Sequence, residues 1–405
     1  MSRPQRRPAA EIRAHRELIA STEELERVCR QLAAEETAVM VDTEFMRERT
    51  YWSQLCLVQL GGSKDAYAVD PLAEGLDLEP LRRLLLDEPV TKVFHAARQD
   101  IEIFVNLWGA APEPLFDTQI AAMFCGFGEQ VGYTALAQHF AGAQIDKGAQ
   151  FTDWARRPLR DRQIDYALQD VTHLRAAYDG LVARLTERGR LDWCAEETKI
   201  LSDPALYRTE PETAWQRLKL RSRNKTYLAV MKCLAVWRET EAQASNLPRN
   251  HVLRDEAIQE IAAERPDSAE GLERLRSISR GYGRSRHGKA ILEEVQRGLA
   301  LPADQIPKPP NGRPGPRAPG PLVDLLKVVL KLQADRHDIA PSLIATSGDV
   351  ERLAAEEAPD IACLTGWRRE VYGDLAGAVK HGRYALAAKN AKVALVPIEA
   401  DGDEA

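Results

Sequence analysis

The sequence lacks the cysteine spacings and the long apolar runs that mark several protein classes. Its six cysteines are scattered over 405 residues, and none belongs to a CxxC pair. A zinc ribbon or a disulfide framework is therefore not expected, and we predict small buried thiols in a reducing compartment.

No apolar stretch reaches the roughly 18 residues that a membrane span requires. The basic segment Met1–Arg16 is not followed by an apolar signal segment. We expect a soluble, cytoplasmic monomer without a membrane partner.

An overall positive charge, which nucleic-acid-binding proteins often have, is also missing, because the formal net charge is −6. The charge is nevertheless unevenly distributed along the chain. Residues 205–297 hold 18 Lys and Arg against 13 Asp and Glu, a net charge of +5, whereas residues 1–204 hold 24 against 33, a net charge of −9. This asymmetry weakly indicates a phosphate-contacting module in the middle of the chain.

The pattern of apolar residues predicts an α/β domain followed by helices. Strand-like segments with helical segments between them fill the first part of the chain and predict a mixed sheet of five strands. Two of these strands flank Gly61–Lys64, which predicts a hairpin. From Leu206 to Gly298 the pattern is helical. Eight prolines in residues 302–321 predict a stiff linker before a last helical segment.

Three short acidic motifs carry the candidate chemistry. Asp42 and Glu44 end the first predicted strand, and side chains two residues apart share one face of a strand. Asp100 lies in the first turns of a helix that follows another strand. Tyr166 and Asp170 are four residues apart and share a helix face. Each motif alone is weak, since a solvated turn, a favourable position at a helix dipole and core packing explain them equally well.

Taken together, four carboxylates on converging elements match a site for two divalent ions, Mg²⁺ or Mn²⁺, which prefer oxygen ligands. Asp42, Glu44, Asp100 and Asp170 are the candidate catalytic and metal-ligating residues. Tyr166 is the candidate that orients or deprotonates the attacking water. Because a phenol has a pKa near 10 in water, it needs help from the metal to act as a base.

These motifs, with Val41–Trp52, Asp117–Gln119 and Thr152–Leu159, resemble the DEDDy 3′→5′ exonucleases, and most closely bacterial ribonuclease D. Asp165 occupies the position where the sister branch has histidine. The resemblance implies a ribonuclease H-like fold and a hydrolase that trims 3′ ends of structured RNAs such as tRNA precursors, releasing nucleoside 5′-monophosphates. Asn246–Glu256 resembles the helical HRDC module, which is associated with nucleic-acid binding, and Gly366–Arg369 with Gly373 resembles a second, more divergent copy.

The resemblance and the composition together divide the chain into six predicted segments. They are a disordered basic arm (1–20), an exonuclease domain (21–204), an HRDC domain (205–298), a Pro-rich linker (299–321), a second HRDC-like helical domain (322–395) and a disordered tail (396–405).

Four further residues are weaker candidates for contacts with the substrate. Phe45 and Met46 follow the acidic pair and would stack on or separate terminal bases, although core packing is an equal alternative. His95 and Arg98 precede Asp100 and would approach a phosphate or the terminal ribose, although a structural histidine and a salt-bridged arginine are the alternatives.

Two other functions stay open at this level. A DNA exonuclease would use the same metal chemistry, and an inactive RNA-binding scaffold would keep the helical domains.

Overall fold

The computed structural model describes residues 12–145, 148, 152–308, 318–390 and 392–398. The strands are β1 (Arg13–Ile19), β2 (Ala38–Met46), β3 (Gln54–Gly61), β4 (Asp65–Val69), β5 (Thr91–Phe94), β6 (Leu115–Asp117), β7 (Tyr384–Lys389) and β8 (Lys392–Pro397).

The helices fall into three groups along the chain. Those of the first part are α1 (Thr22–Glu35), α2 (Glu79–Leu86), α3 (Arg98–Trp108), α4 (Thr118–Met123), α5 (Tyr133–Ala141), α6 (Asp161–Glu187) and α7 (Leu191–Lys199). Those of the middle part are α8 (Lys225–Ser245), α9 (Arg249–Val252), α10 (Asp255–Glu264), α11 (Ala269–Glu273) and α12 (Arg286–Leu299). Those of the last part are α13 (Gly320–His337), α14 (Pro341–Ile344), α15 (Ser347–Ala355), α16 (Gly366–Arg368) and α17 (Asp374–Lys380).

The main sheet is mixed and has the strand order β1-β4-β3-β2-β5-β6. Strands β2, β3 and β4 pair antiparallel, whereas β1 with β4, β2 with β5, and β5 with β6 pair parallel. The predicted hairpin is confirmed in β3 and β4. Within the described ranges the sheet has six strands, so the prediction of five was wrong by one. The additional strand, Arg13–Ile19, lies in the segment predicted to be a disordered arm, whose residues 1–11 fall outside the described range.

Helices cover both faces of the sheet, which explains why Ala38–Val41 of β2 are apolar and fully buried in succession. Helices α1, α2 and α3 pack on one face and α6 on the other. Gly61 shows how closely α6 approaches, because a Cβ atom at this position would lie 3.1 Å from Cβ of Val171. This close packing brings α6, with Tyr166 and Asp170, against the strand that carries Asp42.

The middle helices α8, α10, α11 and α12 share a core of their own. A buried network joins this region to the loop after β2. Glu239 of α8 is 1% exposed and accepts hydrogen bonds from Tyr51, Gln243 and Arg249. The Arg249 guanidinium also lies 4.7 Å from the centre of the Tyr51 ring. The loop that follows β2 is thereby fixed to the middle helices.

The last helices pack against the first domain rather than standing apart. Trp367 stacks on Trp193 of α7 at 5.0 Å between ring centres, and Arg368 pairs with Glu197. Strands β7 and β8 form a hairpin where helix and disordered tail were predicted. Asn390, with φ of 52°, begins the tight turn between them, a backbone conformation that asparagine tolerates. Residues 399–405 of the predicted tail, and 309–317 of the predicted linker, lie outside the described residues.

The cysteines and the apolar character of the helices complete the description of the fold. All six cysteines are buried and unpaired. Among the helices of the described ranges, none is long and apolar enough to cross a membrane.

Candidate active site

Three carboxylates from two elements meet beside the second half of β2, which continues past Glu44 to Met46. Asp42 and Glu44 alternate with Thr43, so they lie on the same face of the strand. Asp170, from the middle of α6, faces them. One oxygen from each of Asp42, Glu44 and Asp170 lies within 4.8 Å of the others. The spacing fits a set of oxygen ligands around a hard divalent cation.

Asp100 reaches the same place from the start of α3. It is 7% exposed, and its carboxylate accepts a hydrogen bond of 2.5 Å from the hydroxyl of Thr43, between the two acids of β2. The turn that leads into α3 is held by Asp117, whose carboxylate accepts from the backbone N–H groups of Ala96 and Ala97 at 3.1 and 2.9 Å. All four predicted acids are therefore brought to one region, with Asp100 outside the closest group of three.

The carboxyl groups are too crowded and too buried to ionise normally in the metal-free protein. Burial, followed by repulsion from Asp170 and Asp100, raises the pKa of Glu44 to about 9. Burial raises the pKa of Asp100 and that of Asp170 to about 7. Burial, followed by repulsion from the neighbouring carboxylates, holds the pKa of Asp42 well above its usual range. A group of acids that hold their protons until near-neutral pH is the electrostatic counterpart of a cation site.

Tyr166 lies one helical turn before Asp170 and lines the same cleft. Burial and the charges of Asp170, Glu44 and Asp42 raise the pKa of its phenol well above its usual value. The hydroxyl therefore stays protonated at neutral pH. It can orient a water by hydrogen bonding, whereas removing a proton from that water requires a nearby positive charge.

The cleft around these groups has a volume of about 610 Å³. His95 lines it, with Nδ1 3.0 Å from the Thr118 hydroxyl, and burial lowers the pKa of this imidazole, so it is neutral near pH 7. Tyr133, at the start of α5, also lines the cleft and donates to the carbonyl of Gln169 at 2.7 Å. No local motif marks Tyr133, and the sequence analysis missed it.

The lining of this cleft does not include three of the predicted substrate contacts, Phe45, Met46 and Arg98. Phe45 packs against the core under α1, α2 and α3, and Met46 packs against the core under α6. The guanidinium of Arg98 lies 6.0 Å from the centre of the Tyr207 ring. Their predicted contacts with substrate stay predictions.

Two protein-family models and known relatives match this chain. Residues 17–186, which contain all four acids and Tyr166, match the family model described as 3′-5′ exonuclease, and residues 228–295 match that of the HRDC domain. Ribonuclease D of Acidiphilium cryptum is 53% identical over 94% of this chain and 97% of its own length. Ribonuclease D of Gluconacetobacter diazotrophicus is 50% identical over 94% and 96%.

A solved structure extends the likeness to three dimensions. The crystal structure of Escherichia coli RNase D, described as an exoribonuclease involved in structured RNA processing, superposes with a TM-score of 0.76 at 30% identity. It covers 90% of this chain and 98% of that one.

Proposed function

The chain belongs to the ribonuclease D family, and from that premise we propose that it hydrolyses RNA from the 3′ end with the help of divalent metal. The observation that carries the proposal is the convergence of Asp42, Glu44 and Asp170 within 4.8 Å, with Asp100 hydrogen-bonded to Thr43, the residue between Asp42 and Glu44. An oxygen-only set of ligands suits Mg²⁺ or Mn²⁺.

The four acids would hold two such ions. When bound, two such metal ions would supply a nucleophile at neutral pH and would stabilise charge on the attacking and leaving oxygens. The carboxylates must give up their protons to bind the ions, so the raised pKa values of Glu44, Asp100 and Asp170 make metal affinity increase with pH.

The chain's own side chains then position the reactants. The protonated hydroxyl of Tyr166 orients the attacking water. Neutral His95, hydrogen-bonded to Thr118, lines the cleft, where it would contact the terminal ribose or a phosphate. Water attack on the terminal phosphodiester breaks the bond to the preceding 3′ oxygen, which takes up a proton, and releases a nucleoside 5′-monophosphate.

The proposed substrates are structured RNAs with an unpaired 3′ end, such as tRNA precursors. The similarity to Escherichia coli RNase D, an exoribonuclease involved in structured RNA processing, supports this class. The helices of residues 225–299 would hold the body of the RNA, and the likeness of the last helices to a second HRDC domain stays a prediction. So do the monomeric state and the cytoplasmic location.

A labelled-substrate assay tests the function. A 5′-labelled RNA with an unpaired 3′ tail is incubated with Mg²⁺, with Mn²⁺ or with EDTA, beside the DNA of the same sequence. The expected result is a metal-dependent ladder that shortens from the 3′ end of RNA and is weak on DNA. Equal cutting of DNA would favour a general 3′ exonuclease, and no cutting with either metal would leave an RNA-binding scaffold.

Two variants make the assay specific to the site. Asp42→Asn is expected to abolish the ladder. Asp165→Asn is the matched control, because Asp165 lies on the same helix as Tyr166 but pairs with Arg16 at 2.7 Å on the surface. Equal loss of activity in both variants would contradict the assignment of the site.

A further inference from the structure

Among the described residues that line the carboxylate cleft, one polar side chain has neither a partner nor a part in the proposed reaction. This residue is Thr134, the second residue of α5. We propose that its hydroxyl recognises the 2′-hydroxyl of a ribose in one of the last two nucleotides, and so makes the enzyme prefer RNA to DNA. The inference rests on the proposed exoribonuclease function and names the residue that selects its substrate class.

The other polar side chains in the described lining are already engaged. The carboxylates are the candidate metal ligands, and the hydroxyl of Tyr166 is assigned to the attacking water. The residues without a polar side chain are Gly132, Ala135, Ile145 and Leu174. The remaining neutral groups have hydrogen-bond partners within the protein: the Thr43 hydroxyl with Asp100, His95 with Thr118, and Tyr133 with the carbonyl of Gln169.

The Thr134 hydroxyl, in contrast, is available to a substrate. The residue is partly exposed, and its hydroxyl has no hydrogen-bond partner among the described residues. The oxygen is also not one of the unpartnered side-chain atoms that the described part of the protein shields from solvent. A threonine hydroxyl both donates and accepts, and so complements another hydroxyl. The 2′-hydroxyl is the group by which a protein distinguishes RNA from DNA.

The start of α5 lies beside the carboxylates on which the reaction depends. Tyr133, the residue before Thr134, donates to the carbonyl of Gln169 at 2.7 Å, and Gln169 precedes Asp170. Burial, followed by the charges of Asp170 and Asp42, raises the pKa of the Tyr133 phenol well above its usual value. Thr134 is therefore close to the place where the terminal phosphodiester must lie for metal ions on these carboxylates to act on it.

The backbone at the start of α5 suits the phosphate that adjoins such a ribose. No side chain caps this helix, and the backbone N–H groups of Tyr133 and Thr134 have no acceptor among the described residues. Free N–H groups in the first turn of a helix are donors for phosphate oxygens. The phosphate would therefore take the N–H groups, which leaves the Thr134 hydroxyl for the neighbouring 2′-hydroxyl.

Cleavage kinetics of the full-length protein on matched substrates test the proposal. Four short oligonucleotides of one sequence are compared: all RNA, RNA with a 2′-deoxynucleotide at the last position, RNA with one at the next-to-last position, and all DNA. The value of kcat/KM for release of the first nucleotide is measured in the presence of Mn²⁺. The parent is compared with Thr134→Val, which keeps the branched shape but loses the hydroxyl, and with Thr134→Ser, which keeps the hydroxyl.

Thr91→Val is the matched control for the loss of a threonine hydroxyl. Thr91 is also partly exposed, and its hydroxyl has no partner among the described residues. It pairs with Ala38 at the opposite end of β2 from Glu44 and is not part of the cleft lining. Melting temperatures of all variants are recorded, so that a loss of activity can be separated from a loss of folded protein.

Thr134→Val is expected to cut the all-RNA substrate roughly tenfold more slowly than the parent, because one hydrogen bond to the substrate is lost. The parent and this variant should cut DNA equally well, and also the one deoxy-substituted RNA that lacks the contacted hydroxyl, which identifies the ribose that is recognised. Thr134→Ser should retain the rate on RNA, and Thr91→Val should match the parent.

Two results would overturn the proposal while leaving the proposed function intact. One is an unchanged rate of Thr134→Val on RNA. The other is an equal loss on all four substrates, which would assign the hydroxyl to a phosphate or to the fold. A parent protein that cuts neither RNA nor DNA would instead refute the proposed function, and the inference with it.

Discussion

Asp100→Asn is expected to stabilise the metal-free protein at neutral pH while abolishing its activity. Asp100 is 7% exposed, and burial raises the pKa of its carboxyl from 3.8 to about 7. Asparagine has the same shape and keeps an oxygen that can accept the hydrogen bond from Thr43. The variant therefore removes a buried ionisable group without removing its hydrogen-bond partner.

The sign of the effect follows from proton linkage. Between about pH 4 and about pH 7 the folded protein holds a proton on Asp100 that the unfolded chain has lost, so the free energy of unfolding falls as pH rises through this window. Each pH unit in the window is worth about 1.4 kcal/mol. From pH 5 to pH 8, the advantage of the variant over the parent is expected to grow by about 3 kcal/mol.

Calorimetry in EDTA at the two pH values measures this difference. At roughly 2–4 °C per kcal/mol, the melting temperature of the variant relative to the parent should rise by roughly 6–12 °C between pH 5 and pH 8. Divalent metal should reverse the order, because metal binding stabilises the parent and much less the variant. Melting temperatures that change in parallel with pH in the two proteins would refute the reasoning.

Three further substitutions test other contacts. Tyr166→Phe should lower the cleavage rate roughly a hundredfold, because the attacking water loses the hydroxyl that orients it. The affinity for Mn²⁺ should stay the same, and weaker Mn²⁺ binding would argue against a positioning role. Tyr51→Phe removes a donor to buried Glu239 and should cost about 1–3 kcal/mol in urea unfolding; no change would mean that the contact with the middle helices contributes little. Arg157→Ala leaves Asp70 buried without its bidentate partner and should cost about 3–5 kcal/mol of stability. Activity should also be lost, because the segment before α6 loosens. Full activity would show that the position of Tyr166 does not depend on this pair.

The site could be predicted where its geometry is local. The alternation of a strand places Asp42 and Glu44 together, and the helical spacing places Tyr166 beside Asp170, so the sequence is enough for these pairs. The order of a ribonuclease H-like domain and an HRDC domain, with helices after them, is confirmed. The roles assigned to the individual residues stay predictions.

Contacts between distant segments could not be predicted in this way. Tyr133 enters the cleft because α5 packs on α6, and Asp117 shapes the turn before α3 from another strand. The first strand was missed for a different reason. Arg13–Ile19 is an edge strand rich in charged residues, and such a composition resembles a disordered arm until its pairing partner is known.

The identity of the first product tests the central claim most directly. An RNA labelled in its 3′-terminal nucleotide is incubated with the protein and a divalent ion, and the earliest labelled product is identified by chromatography. The account predicts a nucleoside 5′-monophosphate, formed only when metal is present and not formed by Asp42→Asn. Labelled oligonucleotides, a nucleoside diphosphate, or the same product in EDTA would contradict it.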